Sequence, residues 1–154
     1  MRPDRKIALD DVDKRIIKQL QQDGRRPYTQ IAPAVGLSEA AVRQRVQRLI
    51  DSGVMQIVGV TDPKMIGFGR QAMIGLTVEG DTRTVADAVA ALKEVVYVVL
   101  TAGSLDVLVE VVVEDDEHLL DLLNNKIRAI DGVRDTETFL YLRIHKETYA
   151  WGAP

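Results

Sequence analysis

YTQIAPAVGLSEAAVRQRVQRLIDSGV, residues 28–54, decides how the front of this chain folds. It reads as a short helix, a tight turn at Gly36-Leu37, and a second helix over 39–52 capped by Ser38. In the first helix Thr29 is the expected cap, and Ile31, Ala32 and Val35 face inward. Pro33 falls in the first turn, where proline is least harmful. Gly36 ends that helix because it takes the left-handed conformation cheaply, and Leu37 drops into the core. In the second helix Val42, Val46, Leu49 and Ile50 form one apolar stripe. At about 100° per residue, Ala40, Gln44, Gln47 and Arg48 point away from it, with Arg43 and Arg45 on its two flanks. Gly53 stops the helix. This is the plan of a helix-turn-helix whose second helix enters the major groove of DNA.

A third helix precedes the pair. Asp10 or Asp11 is a suitable N-cap; with Asp10 as cap, Asp13 puts a second carboxylate in the first turn, and Val12, Ile16, Ile17 and Leu20 recur at helical spacing. The helix spans about 11–22 with Gly24 as terminator. Residues 1–8 are polar and expected to be loose. Charge follows the same division. Residues 1–62 carry eleven Lys/Arg against eight Asp/Glu, whereas residues 63–154 carry nine against fifteen. Most such charges are solvated surface in any protein, but a basic segment that coincides with a helix-turn-helix attracts phosphate.

Downstream of Gly53 the rhythm changes. Met55, Ile57, Val58 and Val60 suggest a strand leaving the helices, and TDPKMIGFG, 61–69, is rich in breakers and reads as a hinge. Strands are then expected at 72–78, 95–101, 105–113 and 133–149, with helices at 82–92 and 116–130. The order βαββαβ is the ferredoxin-like arrangement. The expected architecture is therefore α+β: a winged-type helix-turn-helix domain over 1–54, a linker strand and hinge over 55–69, and a ferredoxin-like βαββαβ domain over 70–154. Two helices cover one face of such a sheet. The other face is rich in Val and needs a partner, since monomers rarely expose large apolar patches.

Composition closes several routes. There is no cysteine, so disulfides and thiolate zinc sites are excluded. MRPDRKIALDD has charges where a signal peptide has an apolar core, and no apolar run approaches the roughly 18 residues of a membrane span, so a soluble cytoplasmic protein is expected. Glu114, Asp115, Asp116 and Glu117 suit an N-cap and first helical turn better than a metal site. His118 and His145 lack ligand spacing and read as surface or packing residues. No catalytic residue, metal or cofactor is expected. Tyr149 and Trp151 are candidates for packing across an interface.

If the second helix of the pair reads DNA, its N-terminal end approaches the bases. Glu39, Ala40, Arg43 and Gln44 then lie near base edges: Arg for guanine, Gln for adenine, Glu for cytosine, Ala for a thymine methyl. Ser38 opens this surface. Arg45, Gln47 and Arg48 suit the phosphate backbone or structural pairing. An ordinary three-helix subdomain with a charged outer face is the alternative.

The whole chain resembles the leucine-responsive regulatory protein/AsnC family of prokaryotic transcription regulators. The resemblance runs from Leu9 to about Tyr149 through LDDVDKRIIKQLQQDGR (9–25), VGLSEAAVRQRVQRLIDSGVM (35–55), VGVTDPKMIGFG (58–69) and VVLTAGSLDVLVEV (98–111). Pro33 departs from the family's usual helix-two pattern. The resemblance implies a regulator that binds double-stranded DNA, dimerises through the βαββαβ domain and assembles into octamers or similar. It also implies a small effector, commonly an amino acid, held where dimers meet. Gly103, Ser104, Leu105 and Asp106 correspond to the family's G-x-x-D turn at the ligand pocket. There, exposed N–H groups suit a carboxylate and Asp106 an ammonium. Thr101 and Ala102 precede the turn, and Thr136 and Thr138 are placed nearby on the last strand. The same four residues also fit a plain β-turn in which Asp106 caps its own backbone. Two other readings use this architecture: a chromatin-like protein that wraps DNA without specificity, and a sirohaem-decarboxylase-like enzyme, which calls for more His and Arg in its cavity than the rear half holds.

Overall fold

The structure, a computed structural model, describes residues 8–153. The expectation of a loose N-terminus falls, but for Ala8, outside them. The chain forms two compact units. One holds residues up to Val60 together with the segment from Lys146, and the other is Thr61–His145.

The first unit is three helices: α1 (Asp11–Gln22), α2 (Tyr28–Val35) and α3 (Glu39–Asp51). At the start of α1 a capping box forms with Asp where Glu is usual. Asp10 accepts from the Asp13 N–H at 2.7 Å, and Asp13 accepts from the Asp10 N–H at 3.3 Å. Asp23 closes the far end, its carboxylate accepting from the Arg25 N–H; Gly24 does not adopt the left-handed conformation expected of a terminator. Helix α2 starts two residues earlier than a Thr29 cap implies. Pro27 precedes it with φ −59° already set, and Thr29 lies inside the helix and does not cap it. Pro33 therefore sits in the second turn, where it removes a bond to the Thr29 carbonyl. Both residues are exposed, so water can take that carbonyl. Gly36 ends α2 at φ +76°, and the Ser38 hydroxyl caps α3 by accepting from the Ala41 N–H. Ile16, Leu20, Ile31, Ala32, Val35, Val42 and Val46 pack into one core between the helices.

Residues 55–60 carry no strand, contrary to expectation, so no wing follows α3 among the described residues. A strand is stable only if its N–H and C=O groups are paired, and no strand among the described residues pairs with these. Val58 is 67% exposed.

The second unit is a four-stranded antiparallel sheet in the order β2-β3-β1-β4: β1 (Arg70–Val78), β2 (Val95–Leu100), β3 (Val107–Val113) and β4 (Val133–Leu140). Helices α4 (Thr82–Ala90) and α5 (Asp116–Asp121), the latter continued by a π-helical turn over Leu122–Ile127, cover one face. This is the ferredoxin-like fold. Strict alternation in β3 sends Val107, Val109, Val111 and Val113 to the helices, where they meet Ile74, Leu76, Val85, Val89, Leu122 and Ile127. Asp115 caps α5 by accepting from the His118 N–H, with Asp116 and Glu117 in the first turn. The opposite face carries Met73, Leu108, Val112, Tyr97 and Phe139, and no element of the unit covers it. Strand β4 stops at Leu140 where 149 was expected. Beyond Leu140 the β1 partner is used up: the Tyr141 N–H bonds the carbonyl of Gln71, one residue from the start of β1. The tail instead docks on α1 in the first unit, where Gln21 exchanges hydrogen bonds with the Gly152 backbone. Trp151 itself is exposed.

Candidate nucleic-acid interface and ligand loop

The outer face of α3 presents Glu39, Ala40, Arg43, Gln44, Gln47 and Arg48, all exposed. Arg43 is 66% exposed on its side chain and is steadied from two sides. Glu39 pairs with it at 2.9 Å one turn earlier, and its guanidinium lies 5.2 Å from the centre of the Tyr28 ring. An exposed i,i+4 pair is worth about 0.3–0.5 kcal/mol and an exposed cation–π contact about 0.5–1 kcal/mol. They orient Arg43 without tying it down. Ser38, itself exposed, caps this end of α3.

Arg45 and Arg48 are differently engaged. Asp13 of α1 is buried, with 1% of its side chain exposed, and both arginines reach it, at 2.8 Å and 2.5 Å. Arg45 also pairs with Asp10 at 2.7 Å. The Asp13 backbone N–H, with Arg45 beside it, holds the Asp10 carboxyl below its ordinary value, and Asp10 and Asp13 raise Arg45. These two arginines therefore fasten α3 to α1. Gln47 bonds Asp51 at 2.7 Å. Of the expected DNA-facing set, Arg43, Gln44, Ala40 and Glu39 stand outward, while Arg45, half-buried, and Arg48, on the exposed face, both reach Asp13 of α1.

The turn between β2 and β3 is tightly tied at its base. The Thr101 N–H bonds the Asp106 carbonyl at 2.9 Å, and the Thr101 hydroxyl donates to the Leu105 carbonyl. The Asp106 carboxylate accepts from the Val78 N–H at 2.8 Å, beside the bulge where β1 and β4 shift register. It thus joins the turn to a neighbouring strand and does not cap its own backbone. Leu105 packs on the uncovered face over Gly75; a Cβ at Gly75 would lie 2.4 Å from Leu105 Cδ1. Thr101, Ala102, Gly103 and Ser104 are exposed. Thr136 and Thr138 are not brought to them within one chain. They pair with Leu76 and Ile74 and so share the helix-covered side, and the Thr136 hydroxyl accepts from Arg128.

One cluster escaped sequence reasoning. Glu94 is buried between α4 and β2 and meets Lys126 and His118. The three are 24 and 32 residues apart, so no local motif announces them.

The AsnC-type helix-turn-helix domain matches residues 9–50, and the Lrp/AsnC ligand binding domain matches residues 71–151. The HTH-type transcriptional regulator FL11 of Pyrococcus horikoshii is 36% identical over 145 residues, covering 93% of this chain and 95% of that protein. The leucine response regulatory protein of Mycobacterium tuberculosis superposes with a TM-score of 0.82 at 29% identity, covering 90% of this chain and 96% of that one. A Neisseria meningitidis transcriptional regulator, solved as a complex with L-Met, gives a TM-score of 0.82 over 93% and 96% of the two chains; at 24% identity that likeness shows the fold.

Proposed function

Because the chain belongs to the Lrp/AsnC family of transcriptional regulators, we propose that it binds specific DNA sequences through α3 and responds to an amino acid. The observation that carries the first half is Arg43, exposed at the leading end of α3 and oriented by Glu39 and Tyr28. In this reading Arg43 and Gln44 read bases, with Glu39 and Ala40 beside them, and Ser38 and Gln47 meet phosphates. Arg45 and Arg48 hold the helix at its angle and supply charge. One helix-turn-helix touches few bases, so two act together, in a dimer that reads half-sites one helical turn or a multiple apart. The uncovered sheet face is the surface that brings two copies together, and further assembly to octamers or similar follows the family pattern. The amino acid binds at the Thr101–Asp106 turn, with Thr136 and Thr138 of another subunit completing the pocket. The family's ligand-binding domain and the L-Met complex of a similarly folded regulator support that choice. The protein acts in the cytoplasm as a regulator and not as an enzyme; no helix of the described residues is long and apolar enough to cross a membrane.

Selection from a pool of random duplexes tests the reading. A recovered motif with two half-sites about 10 base pairs apart, or a multiple of that, supports it. Recovery of bound DNA with no motif replaces it with non-specific wrapping.

A further inference from the structure

A second cleft lies at the other end of the sheet from the Thr101–Asp106 turn. Its volume is about 420 Å³. Ile66 and Phe68, from the connector after the helical unit, form one wall, and Val96 and Val112 form another. Glu94, His118 and Lys93 supply its polar lining. Strand β3 spans the distance between the two places, roughly 20 Å at about 3.4 Å per residue.

Glu94 is the unusual member. Its side chain is 3% exposed, and its two side-chain partners are both on one oxygen. Oε1 accepts from Lys126 Nζ at 2.7 Å and lies 3.2 Å from His118 Nε2. Oε2 is buried and has no hydrogen-bond partner among the described residues. Buried carboxylate oxygens are rarely left so, because the group forfeits its hydration without compensation. The site is also a built one. Lys126 is aimed at Glu94 by the π-helical turn, in which the Arg128 N–H bonds the Leu123 carbonyl five residues back. Such turns cost regularity and collect at functional sites. Burial pushes the Glu94 carboxyl up, but hydrogen bonds from Lys126 and His118 outweigh it and hold the group at about 2, so it is ionised at neutral pH.

We propose that this cleft is a ligand site for a small primary ammonium with an apolar chain, which donates to Glu94 Oε2 and lays its chain against Ile66, Phe68 and Val96. The chemistry follows from what the cleft lacks and what it offers. The orphaned atom is an acceptor with negative charge, so the complementary group is a cationic donor. The remaining walls are mostly apolar, and Lys93 at the rim suits a carboxylate if the ligand is an amino acid. This site is separate from the Thr101–Asp106 turn and does not depend on the effector reading. Because one wall is the connector, a bound ligand also restrains residues 61–69.

Titration calorimetry of the full chain with n-pentylamine, L-norleucine and hexanoate tests the proposal, with hydrogen exchange of residues 61–69 as a second readout. Saturable binding of n-pentylamine, one per chain, with slowed exchange in that segment and no binding of hexanoate, is the expected result. Tighter binding of norleucine than of pentylamine assigns Lys93 to the carboxylate, and equal binding makes a plain amine the ligand; both support the site. Glu94→Gln lowers the affinity about tenfold or more. Val96→Trp, at an exposed position of the cleft lining that makes none of the trio's contacts, fills the cleft and does the same. Absence of binding by both amines overturns the proposal, as does binding that survives both substitutions or is matched by hexanoate.

Discussion

Asp13→Ala is the substitution that most severely tests how α3 is held. Asp13 is 1% exposed and carries two guanidinium contacts, to Arg45 and Arg48, plus the return bond of the capping box to the Asp10 N–H. A hydrogen bond to a charged group contributes about 1.5–3 kcal/mol net, and breaking a fully buried ion pair costs about 3–5 kcal/mol. Here the partners are not fully buried. Arg45 and Arg48 keep 29% and 47% of their side-chain surface in water, and Arg45 retains Asp10. Removing Asp13 also relieves its own desolvation. The net loss is therefore at the lower end, about 3 kcal/mol. For a unit of this size that lowers its melting temperature by roughly 12–24 °C. Far-UV circular dichroism of the full chain measures the shift, and hydrogen exchange locates it in α1 and α3. In a double-mutant cycle with Arg45→Ala the two changes are non-additive by about 1 kcal/mol or more. A drop of less than about 3 °C, or a strictly additive cycle, would refute the assignment of Arg45 and Arg48 as fasteners.

Two other perturbations address the second unit. Gly75→Ala places a Cβ 2.4 Å from Leu105 Cδ1, forcing Leu105 to another rotamer at a cost of about 1–2 kcal/mol in urea unfolding. In a Leu105→Ala background the same change is nearly neutral, and equal cost in both backgrounds contradicts the contact. Glu94, lowered from 4.5 to about 2, contributes stability that is complete above about pH 4.5 and disappears as the pH falls toward 2. The difference is worth about 3 kcal/mol. Glu94→Gln therefore flattens the acid limb of the stability profile between those values, and an unchanged limb argues against the buried trio.

Much of the helical unit is legible in the sequence because its signals are local. Asp10, Ser38 and Gly36 are caps that act within four residues, and the Val42-Val46-Leu49 stripe needs only helical periodicity. The sheet is legible for the same reason, since alternation in Val107–Val113 names its own faces. What failed was non-local. Residues 55–60 and 141–149 have the composition of strands, but a strand also needs a neighbour, and β1 offers none past Gln71. Thr29 looked like a cap because Ser and Thr usually are, yet Pro27 had already fixed the helix's entry. For Arg45 and Arg48 the sequence left phosphate contact and structural pairing open, and their contacts to Asp13 lie more than thirty residues away in sequence. Thr136 and Thr138 pair with Leu76 and Ile74, so one chain alone does not bring them to the Gly103 turn.

The central claim is that α3 reads bases through Arg43. Its most direct test is fluorescence anisotropy of the full chain on its selected duplex and on scrambled DNA, comparing Arg43→Ala with the unchanged protein at fixed salt. The Glu39–Arg43 pair is exposed, so its loss does little to the fold. The account predicts a loss of about 1–3 kcal/mol on the selected duplex, little change on scrambled DNA, and relaxed preference at one base position per half-site. Equal affinity and an unaltered sequence preference in the variant would contradict it.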